Sequence, residues 1–122
     1  MKPSSAFAMT GPAFRAAGPA ALRGKGRLYL GDEFCSNLLP DAGDMRRAAA
    51  LGGGVTLVTP LLSDEAFDRV EALARAVPRG AGPLEVVVND LGLLRVLRGR
   101  AWKNAVVCLG RVLGHRVKVM PP

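Results

Sequence analysis

The chain has 122 residues, of which 49% are hydrophobic and only 5% aromatic. This length fits one domain with a core of Leu, Val and Ala, and it excludes a complete (β/α)₈ barrel, which needs roughly 250 residues. The formal net charge of +7 comes from acid-free ends, with five Lys or Arg in residues 1–31 and seven in residues 91–122. Such ends indicate either a site for RNA or another anion, or simply a solvated basic surface.

The first 25 residues are rich in Pro, Gly and small side chains, which predicts a flexible or irregular segment before a domain at 26–122. At most, AFRAAG and AALRG each form a helical turn. Gly11 and Pro12 interrupt the apolar core that a signal peptide needs. The composition of this segment fits a bacterial leader better than it fits a transit peptide. No apolar run is long enough to span a bilayer. We therefore expect a cytoplasmic protein with reduced thiols and no membrane span.

Strand-like and helix-like segments alternate from residue 27 onward. The strands are RLYLG, VTLVT, LEVVV and AVVCL, each a continuous apolar run. Asp41 or Asp44 caps the first helix, the glycines at 52–54 end it, Ser63 caps the second, and LGLLRVLRG is the third. The order βαβαβαβ predicts an α/β fold with a parallel sheet, either half of a TIM-like barrel or a small open sheet. A half barrel has two unpaired edges, which predicts a homo-oligomer or a partner chain.

Polar residues follow the strands, at the end of a parallel sheet where ligands bind. Asp32 and Glu33 are either a general acid–base pair or capping and solvated groups. Asn89 and Asp90 are candidates for the same site, although either also suits a helix N-cap. Arg111 holds a carboxylate or phosphate, or forms an ordinary surface ion pair.

The two cysteines stand in different settings. Cys108 alternates within an apolar strand, which is typical of a small buried hydrophobe. Cys35 follows the first strand beside two acids, where a thiolate can bind a soft metal or react. The chain has no CxxC pair, and its single histidine, His115, has no acidic neighbour. A zinc site and a catalytic histidine are therefore not expected.

Four segments, LYLGDEFCS, VTLVTPLLSD, EVVVNDLGLL and VCLGRVL, resemble in that order the N-terminal half of the collagenase-like peptidase family U-thirty-two. The resemblance covers residues 27–113 and is nearest to the iron–sulfur branch that serves oxygen-independent ubiquinone biosynthesis; related branches hydroxylate RNA bases. It implies a barrel-like fold with Cys35 as a cluster ligand. The family's other ligand cysteines lie in the half that this chain lacks. A cluster would therefore be shared with a partner chain, or absent if Cys35 is a relic.

Three functions follow from these observations, and they leave open whether the chain is an enzyme. The resemblance implies a partner-dependent subunit or accessory factor in iron–sulfur-linked, oxygen-independent hydroxylation. Its partner would be a second copy or a second U-thirty-two-like chain. The basic ends indicate instead a non-enzymatic module that binds RNA or another anion. Peptidase activity follows from the family label alone, because the sequence shows no nucleophile and base pair.

Overall fold

A computed structural model describes residues 6–24, 26–77, 84–99 and 105–112. The strands in these residues are β1 (Ala6–Met9), β2 (Arg27–Gly31), β3 (Val55–Val58), β4 (Leu84–Val88) and β5 (Ala105–Leu109). The α-helices are α1 (Gly11–Ala17), α2 (Ala42–Ala50), α3 (Asp64–Ala76) and α4 (Leu91–Gly99), with short 3₁₀ helices at Pro19–Leu22 and Ser36–Leu38. The four strands and three helices predicted from residue 27 onward are confirmed.

The five strands form one parallel sheet in the order β1-β2-β3-β4-β5, so neighbours in sequence are neighbours in the sheet. A doubly wound sheet reverses its strand order at a central switch point, whereas a barrel keeps the consecutive order. The predicted α/β fold is therefore confirmed, and the sheet has the topology of half of a TIM-like barrel.

The N-terminal segment is more regular than its composition predicts. β1 pairs with β2 from Ala6 opposite Arg27 to Met9 opposite Leu30, so the domain includes residues before position 26. The side chain of Thr10 accepts a hydrogen bond from the Ala13 N–H and caps α1. Pro12 lies in the first turn of this helix, where its missing N–H is no loss. The prediction of an irregular segment is therefore wrong at β1. The helical turns expected at AFRAAG and AALRG correspond to α1, which is longer than one turn, and to the 3₁₀ helix Pro19–Leu22.

One face of the sheet carries the hydrophobic core. Alternate residues of the three central strands are buried on this face, namely Leu28, Leu30, Val55, Leu57, Leu84, Val86 and Val88. They pack with residues from all four helices, including Phe14, Met45, Val70 and Leu93. Because the strand order never reverses, right-handed crossovers place every helix between these strands on the same side of the sheet. The helical layer therefore covers one face only.

The opposite face is built from the residues that alternate with the core rows, and no described helix packs on it. We call it the open face; its residues are Ala6, Ala8, Arg27, Tyr29, Thr56, Val58, Glu85, Val87, Val106 and Cys108. All of them except Thr56 are half-buried or exposed. Cys108, which the sequence predicted to be a buried hydrophobe, lies half-buried on this face instead.

Capping side chains set the starts of the helices. Ser63 accepts a hydrogen bond from the Ala66 N–H and begins α3 as predicted. Asp41 caps α2, and Asp44 completes a capping box by accepting the Asp41 N–H at 2.9 Å. The Asp44 carboxylate is fully buried and also pairs with Arg15 of α1 and Arg47 of α2. This carboxylate therefore ties the first two helices together.

Candidate functional site

Three of the predicted site residues meet where β2, β4 and β5 end. The Glu33 Oε2 atom accepts hydrogen bonds from the backbone N–H of Arg111 at 3.0 Å and from Asn89 Nδ2 at 3.4 Å. Its Oε1 atom accepts from Arg111 Nε, also at 3.4 Å. Because parallel strands bring their carboxyl ends to one edge, residues far apart in sequence become neighbours here. We call Glu33, Asn89 and Arg111 the strand-end site.

Asn89 is the buried centre of this site. Its Nδ2 donates to the Thr59 carbonyl at 2.8 Å, and its Oδ1 accepts the Val112 N–H at 3.1 Å. The side chain has no exposed surface, so these bonds replace water. A Cβ atom at Gly110 would lie 2.1 to 2.4 Å from the Asn89 amide atoms. Glycine at position 110 is therefore the residue that leaves room for the amide.

The other two predicted acids have local roles. Asp32 Oδ2 accepts the N–H groups of Phe34 at 2.9 Å and Cys35 at 2.8 Å, which fixes the turn after β2. Asp90 caps α4 by accepting the Leu93 N–H at 3.1 Å, and it also accepts the Leu62 N–H at 2.9 Å.

These contacts decide between the alternatives that the sequence left open at these positions. Asp90, and not Asn89, serves as the N-cap of α4. The carboxylates of Asp32 and Glu33 bind different partners. The two residues therefore do not form an acid–base pair in this structure.

Arg111 lies at the rim of the strand-end site. Its guanidinium carbon is 5.3 Å from the centre of the Phe34 ring, within the range of a cation–π contact. The Arg111 side chain is 76% exposed, whereas that of Glu33 is only 16% exposed. The arginine therefore presents its charge to solvent while the carboxylate that orients it lies beneath.

Most of the large exposed apolar side chains lie at the same end of the sheet. In the described part of the chain they are Phe34, Leu61, Leu91, Val106 and Leu109. The first three lie in the segments that follow β2, β3 and β4, and Leu109 is the last residue of β5. Val106 lies near the start of β5, on the open face. An isolated exposed apolar side chain needs no explanation, but a cluster marks an interaction surface. Sequence reasoning missed this cluster because it searched these segments for polar groups.

Cys35 does not gain a set of metal ligands from the fold. It is a free, half-buried thiol, and the described residues contain no group of three His, Cys, Asp or Glu side chains placed to hold a metal ion. Cys108 is on the open face, and His115 lies outside the described residues. A four-iron cluster takes four protein ligands. The described residues therefore do not fit such a cluster.

A second polar group of residues crosses the open face. Arg27 donates to Thr56 Oγ1 at 3.0 Å and to the Val55 carbonyl at 3.2 Å, and Thr56 Oγ1 donates to Glu85 at 3.3 Å. The Arg27 guanidinium lies over Gly54, where a side chain would collide with it. Burial, followed by the charge and hydrogen bond of Glu85, raises the pKa of the Cys108 thiol. The alternation of Arg27 and Glu85 with buried strand residues was the available sequence signal for this group.

No helix in the described residues is both long and apolar enough to cross a membrane. Comparison of the chain with protein-family models, curated proteins and solved structures gives no match. The resemblance to family U-thirty-two therefore stays a prediction that rests on the four quoted segments.

Proposed function

We propose that this chain works as a partner-dependent α/β half barrel, and that its partner is a second copy of itself. The observation that carries the proposal is the contrast between the two faces of the sheet. All four described helices pack on one face, and none packs on the open face. Parallel sheets are nearly always covered on both faces, because their strands carry apolar side chains on both sides. Val58, Val87 and Val106 on the open face follow that pattern.

The two edge strands support pairing with another chain. β1 is AFAM and β5 is AVVCL, and neither contains a charged residue or a proline. Free edge strands in soluble proteins usually carry lysine, proline or a bulge that prevents pairing with other chains. The sequences of β1 and β5 lack these protective residues, which is expected of edges that are paired in the functional assembly.

The topology favours a second copy as that partner. The sheet has β1 at one edge and β5 at the other, and both strands run in the same direction. A two-fold axis parallel to the strands sets each β5 beside the β1 of the other copy. Both junctions are then parallel, and the symmetry is closed. The open faces of the two copies turn toward each other, so that Val106 and the neighbouring apolar side chains become enclosed.

The finer role that we propose follows from the family resemblance. It is that of a subunit or accessory factor in iron–sulfur-linked, oxygen-independent hydroxylation of the kind used in ubiquinone biosynthesis. The half-barrel fold is compatible with this role, but Cys35 is one ligand where a cluster needs four. Iron bound after anaerobic purification and lost in Cys35→Ser would support the role. Iron-free protein from all anaerobic preparations would refute it without bearing on self-association.

Sedimentation equilibrium tests the self-association. We expect the wild-type chain to have the mass of two copies at micromolar concentration. Val106→Asp places a charge on the open face and should give single chains. Leu61→Asp is the matched control, because Leu61 is also exposed but follows β3 outside the open face. A wild-type chain that stays monomeric and still unfolds cooperatively would show that the open face needs no partner.

The other two functions stay predictions with less support. The RNA alternative rests on the basic ends of the sequence, whose four lysines, at positions 2, 25, 103 and 118, lie outside the described residues. The RNA alternative is tested by measuring whether affinity falls as salt rises. For peptidase activity, the described residues include no histidine that could act as a base for Cys35 or Cys108.

A further inference from the structure

We propose that the strand-end site binds an organic anion that has an apolar body, with its carboxylate or phosphate on Arg111 and its apolar part against Phe34, Leu61 and Leu91. The proposal concerns one chain and does not depend on the self-association proposed above. It joins two features of the same edge of the sheet, an exposed and oriented guanidinium and a cluster of exposed apolar side chains.

The guanidinium of Arg111 is held in place by two contacts. Its Nε donates to Glu33 Oε1, and its carbon lies over the Phe34 ring. Both contacts restrict the plane of the guanidinium. An arginine oriented through Nε can turn its two terminal nitrogens outward as a fork, which matches the two oxygens of a carboxylate or phosphate. The exposure of this side chain, 76%, leaves that approach open.

Glu33 does not block an anion, because its oxygens are already used. They accept the backbone N–H and Nε of Arg111 and the Nδ2 of Asn89. The carboxylate lies beneath the arginine and is largely screened from solvent, as its exposure of 16% shows. Its charge lowers the net attraction for an anion, so we expect dissociation constants in the millimolar range for small probes.

The apolar residues are held around the same edge by contacts between the loops. The Leu62 N–H donates to Asp90 Oδ2, which links the segment of Leu61 to that of Leu91. Asn89 joins the end of β3 to that of β4 through the Thr59 carbonyl. Glu33 joins the segment of Phe34 to that of Arg111. The three exposed apolar side chains therefore belong to loops fixed at one edge, where parallel α/β proteins bind ligands.

Three small probes separate the two parts of the proposal: hexanoate has an anion and an apolar body, acetate has the anion alone, and hexan-1-ol has the apolar body alone. Burial of each methylene group favours binding, so the four extra carbons of hexanoate should improve binding at least about tenfold over acetate. Binding is followed by chemical-shift titration of the backbone amides of the full chain, Arg111 and Val112 included. Hexan-1-ol should bind at least about tenfold more weakly than hexanoate.

Variants test whether the named side chains are responsible. Arg111→Gln should weaken hexanoate binding about tenfold, and Phe34→Ser should weaken it severalfold. Arg75→Gln is the matched control, because Arg75 is also exposed and also paired with a glutamate, Glu71, but lies on α3. Val106→Asp should leave binding unchanged, since it alters only the open face. Equal binding of hexan-1-ol and hexanoate, an unchanged affinity in Arg111→Gln, or an equal loss in Arg75→Gln would overturn the proposal.

Discussion

Asn89 and Gly110 offer a quantitative test of how the strand-end site is packed. Asn89→Ala removes the hydrogen bonds to the Thr59 carbonyl and from the Val112 N–H. Gly110→Ala keeps the asparagine but places a Cβ atom within 2.4 Å of three of its amide atoms. Real Cβ atoms do not approach so closely, so the amide must move away. Both single changes therefore break the same hydrogen bonds by different routes.

The expected cost follows from the bonds that are lost. A buried polar group left without its partner costs roughly 1–3 kcal/mol, and Asn89 serves two such groups. Val112 is half-buried and can reach water, so its share lies at the low end of that range. We therefore expect each single substitution to reduce the free energy of unfolding by about 2–4 kcal/mol. In the double variant the alanine at 89 leaves room for the new methyl group, so the total should stay near that of Asn89→Ala.

Urea unfolding followed by circular dichroism measures all four members of this double-mutant cycle. The non-additivity should be at least about 2 kcal/mol, since the two substitutions remove one shared set of bonds. Additive costs would show that Gly110 is needed for a reason other than the Asn89 amide. A Gly110→Ala variant as stable as the wild type would refute the close approach itself.

Three further predictions concern other groups in the described chain. Asp44→Ala should lower the free energy of unfolding by about 2–3 kcal/mol in the same urea titration, because it removes a buried carboxylate whose arginine partners still reach solvent. Asp68→Asn, on the exposed side of α3, should change this free energy by less than about 0.5 kcal/mol. The Asp44 N–H holds the pKa of Asp41 below its usual range. The stabilisation from the ionised Asp41 carboxylate is therefore present above a pH of about 4 and is lost as the pH falls through the lower folded pKa. Asp41→Ala should flatten this loss of stability in acid. Glu85→Gln should lower the raised pKa of Cys108 and so speed alkylation of this thiol at pH 8 at least about twofold, as followed by mass spectrometry. An unchanged alkylation rate would contradict the influence of Glu85.

The strand-end site shows how far the sequence can locate a functional region. Alternating apolar runs and helical periodicity predicted the parallel sheet, and the position after each strand predicted which residues share an edge. Glu33, Asn89 and Arg111 are brought together there. Asp32 and Asp90 also lie just after strands, but Asp32 fixes a turn and Asp90 caps a helix. The residue types did not distinguish these roles, because Asp and Asn suit caps and sites equally well.

The N-terminal strand was missed for a different reason. AFAM is short, contains no β-branched residue and lies before a Gly-Pro pair, so local propensity favours an irregular segment. Its strand conformation comes from pairing with β2, which is a tertiary contact. Gly11 and Pro12 then form the first turn of α1, which Thr10 caps, instead of a break.

The sequence by itself determined the class of the fold and the end of the sheet where polar groups collect, because both follow from periodicity and from the position of residues along each strand. Only the tertiary structure decided which of the two faces the helices cover, and hence that Arg27, Glu85 and Cys108 lie on a face without helices. It also decided that Arg111 is oriented by Glu33 and Phe34, 78 and 77 positions earlier in the chain. Local patterns carry no information about such distances, since they are set by the pairing of strands across the sheet.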